Sequence, residues 1–226
     1  MMIEYTLIRS KRKTLGLYIR GGVLEVRAPL NAPKKVIDNF VFSKEEWIHD
    51  RLAHSKEQAQ NKKEFFLDYG DAILYLGKEY PIVPKEGNNV GFDNEQFYMP
   101  LGLSPDQIKV ACVQIYRILA KRDLTDRVLK FSAQMSVTPS AVKINGAKTR
   151  WGSCSSKKNL NFSWRLIMAD SEVIDYVVVH ELAHITEMNH SNRFWAIVAE
   201  IIPDYENLKE RLYELSRRLA GEDWGI

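Results

Sequence analysis

Hydrophobic and polar residues alternate or recur at helical spacing through the first hundred residues. The stretch LGLYIRGGVLEVRAP alternates on both sides of Gly21 and Gly22, which predicts two strands joined by a two-residue turn. Residues 32–58 have helical spacing, interrupted by a capping-box pattern at Ser43 and Glu46, which predicts two short helices or one kinked helix. Short apolar runs separated by Gly, Asn and Pro predict a small sheet over residues 72–99.

A long helix opens the second half of the chain. Ser104, Pro105 and Gln107 have the residue types of a helix start, and the apolar stripe that follows predicts a helix to about residue 134. The preceding segment, MPLGLSPDQ, contains the proline and glycine expected of a boundary. We therefore predict an N-terminal α+β region with hairpins at residues 1–102 and a second domain at residues 103–226.

Strands and helices both follow in the second domain. AVKIN and LNFSWRL alternate between apolar and polar residues, which predicts two strands with Arg165 facing outward in the second. DSEVIDYVVVHELAHI has helical spacing, with Asp170 or Ser171 as the N-cap. Leucines spaced along NLKERLYELSRRLA predict an amphipathic closing helix. The expected fold class is α+β.

Composition and charge exclude several classes of protein. The 226 residues are 45% hydrophobic and 27% charged, as in globular proteins, and 32 basic against 29 acidic residues give a net charge of only +3. This balance argues against nucleic acid as a partner, because it supplies no strong positive field. No uncharged stretch approaches the roughly 20 residues of a membrane span. Two cysteines and the lack of a secretory signal pattern predict a cytoplasmic protein.

Three of the five histidines lie in the eleven residues HELAHITEMNH, residues 180–190. His180 and His184 are one helical turn apart, about 6 Å in rise, so both imidazoles can bind one ion. Zinc suits such ligands, and a zinc-bound water has a pKa of about 7. Glu181 faces the same cleft and can accept a proton from that water. The motif indicates hydrolytic chemistry.

His190 is the best candidate for a third ligand. On an unbroken helix it would lie about 15 Å along the axis from His180, so the chain must turn back first. Asn189 can provide that turn in a left-handed conformation, and Asn189 or Ser191 can cap the next helix. Glu187 is the rival ligand, but at about 10 Å from His180 on a continued helix we expect it to contact a ligand rather than the ion, or to lie in solvent.

The segments KTRWGSCSSKKNLNFSWRLIMA and VVVHELAHITEMNHSNRFW resemble the YgjP-like family of predicted zinc-dependent hydrolases, which are related to SprT-type and zincin metallopeptidases. The resemblance implies His180, His184 and His190 as zinc ligands and Glu181 as general base. It also implies a zincin-like catalytic half, with the HExxH helix packed on a small antiparallel sheet. Metzincins have glycine at the position of Glu187, so we do not assign the chain to them.

The family match also includes the stretch RWGSC, residues 150–154. Arg150 can bind a substrate anion or stabilise an oxyanion, and the adjoining strand can pair with an extended peptide. The alternative is structural: Trp151 anchors a hairpin and Gly152 permits a turn. We retain Arg150 beside Glu181 as a predicted catalytic residue.

Three functions remain open from the sequence. The leading hypothesis is a metallopeptidase with one zinc ion, Zn²⁺, and a peptide or protein substrate. The first alternative is a phosphoanhydride hydrolase acting on a nucleotide, in which Arg150, Arg165 and nearby lysines neutralise phosphate charge. The second is a zinc-stabilised binding module without activity, which a fourth protein ligand would favour. A peptidase should have an open groove with a free strand edge, and a nucleotide hydrolase a closed basic pocket.

Overall fold

The computed structural model describes residues 3–20, 22–60 and 65–225, and these residues form an α+β protein, as predicted. The chain divides into two compact units, Met1–Lys63 and Glu64–Ile226. This division differs from the boundary predicted after residue 102, because the strands of residues 72–100 share one core with the C-terminal helices. The assignment of residues 103–226 as a hydrolase domain stays a prediction. None of the described helices combines the length and the apolar character needed to span a bilayer.

The first unit contains a three-stranded sheet and two helices. Its elements are β1 (Thr6–Ser10), β2 (Gly16–Arg20), β3 (Val23–Pro29), α1 (Lys34–Phe42) and α2 (Glu45–Gln60). The strand order is β1-β3-β2, with β1 parallel and β2 antiparallel to β3. The β2–β3 pair confirms the predicted hairpin, although Gly21 of its turn lies outside the described residues. Alternate residues of β3 are buried against apolar residues of α1 and α2.

The helices of this unit are separate, and Ser43 has a different role from the predicted one. Ser43 is the C-cap of α1, with its N–H donating to the Asn39 carbonyl. Its hydroxyl donates to the Phe40 carbonyl at 2.8 Å. The prediction that Ser43 starts the second helix in a capping box is therefore wrong, because α2 begins at Glu45, two residues later.

The second unit contains two small mixed sheets and four α-helices among its described residues. Its elements are β4 (Ala72–Tyr75), β5 (Lys78–Lys85), β6 (Gly91–Phe92), β7 (Phe97–Pro100), α3 (Pro105–Gln134), β8 (Ala141–Asn145), β9 (Gly152–Cys154), β10 (Asn159–Ser163), a 3-10 helix (Trp164–Met168), α4 (Ser171–Ala183), α5 (Asn192–Ile201) and α6 (Tyr205–Leu219). One sheet has the order β4-β5-β7-β6 and the other β8-β10-β9. In the second sheet, β8 is parallel and β9 antiparallel to β10, so the sheet is mixed rather than antiparallel throughout.

The long helix α3 begins as the sequence predicts. The Ser104 hydroxyl accepts from the Gln107 N–H, and the Gln107 side chain accepts from the Ser104 N–H at 2.8 Å. This reciprocal capping box satisfies two backbone donors that a helix start leaves without partners. The buried face of α3 packs against α4 and the 3-10 helix, so α3 supports the helix that carries the histidines.

The segment after β10 differs from the predicted strand. The strand ends at Ser163, and Trp164–Met168 form a 3-10 helix in which all five side chains are buried. Arg165 is only 6% exposed, so the prediction that it faces outward is wrong. Its guanidinium lies 4.4 Å from the centre of the Trp164 ring, and its Nη1 donates to the Gly146 carbonyl at 3.1 Å. These contacts compensate part of the cost of burying the charge.

Candidate active site

Helix α4 carries two of the three clustered histidines and the glutamate. Asp170 is its N-cap and accepts from the Val173 N–H at 3.2 Å, which agrees with one of the two predicted caps. His180 and Glu181 lie in the last turn, and His184 is the C-cap residue. Most of α4 is apolar and buried, so the polar side chains at its C-terminal end are the part of the helix that can take part in chemistry.

The chain turns back after α4, as the position of His190 requires. The helix ends at Ala183, and the Ser191 N–H donates to the Asn189 carbonyl at 2.8 Å in the turn. The Ser191 hydroxyl then accepts from the Phe194 N–H and caps α5. The predicted turn and the Ser191 cap are thus confirmed. The predicted left-handed conformation of Asn189 is wrong, since the positive-φ residues lie elsewhere in the described chain.

The turn brings the three histidines together. One ring nitrogen of each lies within 4.8 Å of those of the other two, and the Nε2 atoms of His180 and His190 are 3.0 Å apart. Three imidazole nitrogens at such spacing are a donor set suited to zinc, with a fourth position left for water or substrate. The residues therefore fit a catalytic metal ion by both their chemistry and their convergence.

A backbone carbonyl orients one of these rings. The His184 Nδ1 lies 3.1 Å from the Glu187 carbonyl oxygen, and a bond between them requires the proton to be on Nδ1. This tautomer leaves the lone pair of Nε2 free to bind a metal. Glu187 thus supports the His184 ring through its backbone carbonyl, although the distance expected for it assumed a continued helix and α4 instead ends at Ala183.

Phe194 holds all three imidazoles from one side. It is fully buried, and its ring centre is 4.9 Å from that of His180, 4.5 Å from that of His184 and 4.7 Å from that of His190. Trp195 stacks on His190 at 5.7 Å, and Tyr205 stacks on Trp195 at 5.0 Å. These apolar rings restrict the imidazole orientations and exclude water from the back of the cluster.

Burial shifts the protonation equilibria of the site. It lowers the pKa of His180 to about 3, with smaller contributions from the neighbouring His184, His190 and Lys209. It raises the pKa of Glu181 to about 7, and the positive charge of Arg150 partly opposes this shift. A neutral His180 is the form that binds metal, and a glutamate with a pKa near neutrality can both accept and release a proton.

Strand β9 lies directly against Glu181. A Cβ atom at Gly152 would come within 2.6 Å of Glu181 Oε1 and 2.9 Å of Cδ. Among the described residues, β9 pairs only with β10 and is the edge of its sheet. The Ser163 N–H donates to the Trp151 carbonyl, and the alternation of antiparallel bonds then directs the backbone groups of Gly152 and Cys154 to the outer edge. A strand edge with free backbone groups therefore borders the glutamate.

Residues 13–215 of the chain match the family model described as YgjP-like, metallopeptidase domain. The chain belongs to the YgjP-like metallopeptidase family. Among solved structures, it is similar to the metallopeptidase zymogen of Pyrococcus abyssi abylysin, with 21% identity, a TM-score of 0.38 and coverage of 44% of this chain and 97% of that one. It is similar also to the metallopeptidase zymogen of Methanocaldococcus jannaschii jannalysin, with 22% identity, a TM-score of 0.37 and coverage of 41% and 95%. A search of curated proteins gives no match.

The RWGSC stretch of this YgjP-like chain has both exposed and anchored residues. Arg150 is exposed, and its charge acts on Glu181. Trp151 is half-buried, and its Nε1 donates to the Ser216 hydroxyl of α6 at 3.1 Å, which is the anchoring role considered from the sequence. Gly152 is the residue that contacts the glutamate. In this stretch Arg150 is exposed and acts on Glu181 through its charge, whereas the backbone of Gly152 is in contact with Glu181.

Sequence reasoning did not identify two neighbours of the histidines and the glutamate. In the sequence, Phe194 is one of several apolar residues of a predicted helix and has no assigned role. Gly152 is expected only to permit a turn. A usable signal for Phe194 is its position three residues after the Ser191 cap, which directs its side chain back over the start of α5, where His190 lies. Gly152 gives a weaker signal: a glycine inside a strand pattern often marks close approach of another group.

Proposed function

We propose that this protein is a zinc-dependent metallopeptidase in which His180, His184 and His190 hold one Zn²⁺ and Glu181 is the general base. The observation that carries the proposal is the convergence of three imidazole nitrogens within 4.8 Å beside a buried glutamate. The family match supports a metallopeptidase domain over most of the chain. When bound, zinc supplies Lewis acidity toward the scissile carbonyl and toward water.

Glu181 moves the proton in this proposal. As a carboxylate it accepts a proton from the attacking water, and as a carboxylic acid it donates that proton to the departing amine. Burial raises the pKa of Glu181 to about 7 in the metal-free protein, which supports both roles because neither protonation state is strongly disfavoured near neutral pH. Arg150, whose charge acts on Glu181, stabilises the negative charge that develops on the substrate carbonyl oxygen.

The edge of β9 positions the peptide. The backbone groups of Gly152 and Cys154 face outward from the sheet, so an extended substrate can add to it as a further strand. Glu181 is in contact with Gly152, which supports placing the scissile bond at this point of the edge. Backbone pairing gives affinity without requiring a particular side chain in the substrate.

Phosphoanhydride hydrolysis is the second candidate. The observation that favours it is a cavity of about 250 Å³ whose lining includes Lys148, Arg150 and Arg165. Basic groups are what a substrate with several phosphates would require. The third reading, a structural zinc site, needs four protein ligands, whereas the group formed by the described residues contains three.

Metal content tests the proposed ligands. Protein purified without chelator is analysed by mass spectrometry as the parent and as the variants His190→Ala, Glu181→Gln and His49→Ala. We expect about one zinc per chain in the parent and in Glu181→Gln, and loss of most of it in His190→Ala. His49, an exposed histidine of the first unit, is the matched control and should not change the zinc content. A parent that cannot be loaded with zinc would overturn the proposal.

Turnover then separates the two hydrolases. The zinc-loaded parent is incubated with a mixed peptide library and, separately, with nucleoside triphosphates. Peptide cleavage that is lost in Glu181→Gln, while the zinc stays bound, supports the metallopeptidase. Glu181-dependent release of phosphate or pyrophosphate without any peptide cleavage would establish the second candidate instead.

A further inference from the structure

Arg165 leaves a buried cationic donor without a partner. The side chain is 6% exposed, and its Nη1 donates to the Gly146 carbonyl, whereas its Nη2 is buried and has no hydrogen-bond partner in the described chain. An unsatisfied donor on a buried charged group costs more than a typical hydrogen bond contributes. Native folds pair most buried polar groups, so an exception of this kind calls for an explanation.

Arg165 also lines a cavity, although its unpartnered Nη2 is itself shielded from solvent. The cavity of about 250 Å³ lies between the loop of residues 147–151 and the end of α6, and its walls include Arg165, Arg150, Lys148 and Glu222. Trp151 forms another wall and is held in place by its bond to Ser216. The wall residues come from three parts of the chain: Arg165 is buried and Trp151 is anchored, whereas Lys148 and Arg150 are exposed.

The charges around the cavity favour an anionic ligand. Among the lining residues Lys148, Arg150 and Arg165 are cationic and Glu222 is acidic, and Asp223 lies 3.4 Å from the Lys148 ammonium. Arg117 and Arg218 add positive charge near Arg165 and Glu222. A carboxylate, which is small and planar, can pair with a guanidinium in this setting.

The position of the cavity indicates which carboxylate. Arg150 and Trp151 immediately precede Gly152, which contacts Glu181, so the cavity lies at the start of β9. A peptide antiparallel to β9 would place its C-terminal end there, since the two chains run in opposite directions. A parallel peptide would instead bring its ammonium group toward Arg150 and Arg165. The cationic cavity therefore selects the antiparallel direction.

From these contacts we infer that the Arg165 cavity binds the C-terminal carboxylate of a peptide, one or two residues beyond the bond aligned with Glu181. At about 3.3 Å per extended residue, the two residues from Gly152 to Arg150 correspond to such a short segment. The alignment of the scissile bond with Glu181 rests on the proposed peptidase function. Binding of a peptide carboxylate by Arg165 does not itself require turnover. The substrate class would be peptides cleaved close to a free C-terminus.

A binding measurement tests the carboxylate without turnover. Zinc-loaded Glu181→Gln protein is titrated calorimetrically with acetylated tripeptides that end in a carboxylate, with the same tripeptides ending in an amide, and with inorganic phosphate. We expect the acids to bind about tenfold or more tightly than the amides, as for a hydrogen bond to a charged group. Equal affinity of acid and amide would overturn the inference. Tighter binding of phosphate than of the acids would overturn the assignment to a carboxylate.

Second substitutions in the Glu181→Gln background assign the effect to the cavity. Arg165→Met should reduce the preference for acids to about twofold or less, because it removes the charge and keeps most of the apolar stem. Lys148→Met is an exposed second variant, expected to weaken acid binding by a smaller factor even if Arg165→Met fails to fold. Arg217→Met is the matched control on the exposed side of α6 and should keep the full preference. A preference retained in both Arg165→Met and Lys148→Met would overturn the inference.

Turnover by the parent distinguishes this inference from the proposed function. If amidated peptides are cleaved as fast as the acids, the protein is a peptidase and the carboxylate site is wrong. If acids bind with a preference that depends on Arg165 but no peptide is cleaved, the carboxylate site stands and the peptidase proposal fails.

Discussion

The Glu181 side chain packs directly against the backbone of Gly152. It occupies the space where the Cβ of any other residue at position 152 would lie, since Oε1, Cγ and Cδ of the glutamate are all within 2.9 Å of that point. The glycine does not have a positive φ, so its backbone conformation does not require glycine. Its role is therefore to let the edge strand β9 approach the glutamate closely.

We predict that Gly152→Ala displaces the Glu181 carboxylate and lowers kcat/KM for peptide cleavage. A displacement of about 1 Å can reduce the rate by about a hundredfold, and the zinc content should not change because the histidines are not moved. The measurement is the steady-state rate at matched zinc loading.

The matched control for this change is Gly221→Ala. A Cβ at Gly221 meets no atom within 4 Å, and its φ is not positive, so this variant should keep the parent rate. An unchanged kcat/KM in Gly152→Ala would show that the glutamate can shift without loss, and would remove the steric role of the glycine.

Phe194→Ala should weaken both the fold and the metal site. Removing a fully buried phenylalanine costs about 3–5 kcal/mol in the free energy of unfolding, which we would measure by urea denaturation of metal-free protein. Because the same ring packs on all three imidazoles, zinc affinity should fall as well, measured by competition with a chromogenic chelator.

Phe66→Ala is the control for Phe194→Ala, since Phe66 is 57% exposed in the same unit and should change stability by no more than about 0.5 kcal/mol. Destabilisation of Phe194→Ala with parent-like zinc affinity would mean that Phe194 is a core residue alone and does not orient the ligands.

The approach of the three histidines could be predicted because it depends on local spacing. His180 and His184 are one turn apart on a helix whose start is encoded by Asp170, and the distance to His190 requires a turn whatever its detailed conformation. The conformation itself was not predictable: Asn189 permits a left-handed turn, but the hydrogen bond from the Ser191 N–H to the Asn189 carbonyl forms a different one. A residue's permitted conformations do not determine which one tertiary contacts select.

Arg165 shows the corresponding limit for the fold. Alternating apolar and polar residues in LNFSWRL favour a strand, yet the same buried Trp164 and Leu166 are compatible with a 3-10 helix that also buries the arginine. The decision depends on Gly146, whose carbonyl accepts from Arg165 and which lies about twenty residues earlier in the chain. Such a contact between distant residues has no signature in a local pattern.

Glu187→Ala should leave zinc binding within about twofold of the parent, because the hydrogen bonds described for Glu187 are made by its backbone, whose carbonyl faces His184 Nδ1 and whose N–H donates to the Ala183 carbonyl. The carbonyl accepts from His184 Nδ1 whatever the side chain, so the imidazole keeps its tautomer. Equilibrium zinc competition is the measurement, with His190→Ala as the variant that should lose binding. A loss of zinc in Glu187→Ala comparable to that in His190→Ala would make the glutamate a ligand and contradict this assignment.

Glu222 makes the stability of the fold depend on pH. Burial raises the pKa of Glu222 above its ordinary value of 4.5, although the hydrogen bond from Trp224 Nε1 and the charges of Arg218 and Arg165 oppose the shift. A carboxyl with a raised pKa in the folded state favours the protonated fold. Its contribution to stability is therefore present below the unfolded pKa and is lost as the pH rises through the folded pKa.

Glu222→Gln removes this titration. We expect metal-free parent protein to lose free energy of unfolding relative to Glu222→Gln as the pH rises from about 4 to about 8, measured by urea denaturation at each pH. Glu210→Gln, a change at an exposed position of α6, should follow the parent curve. Parallel curves for the parent and Glu222→Gln would show that Glu222 binds the same number of protons in the folded and unfolded chains over this range, and would contradict the raised pKa of Glu222.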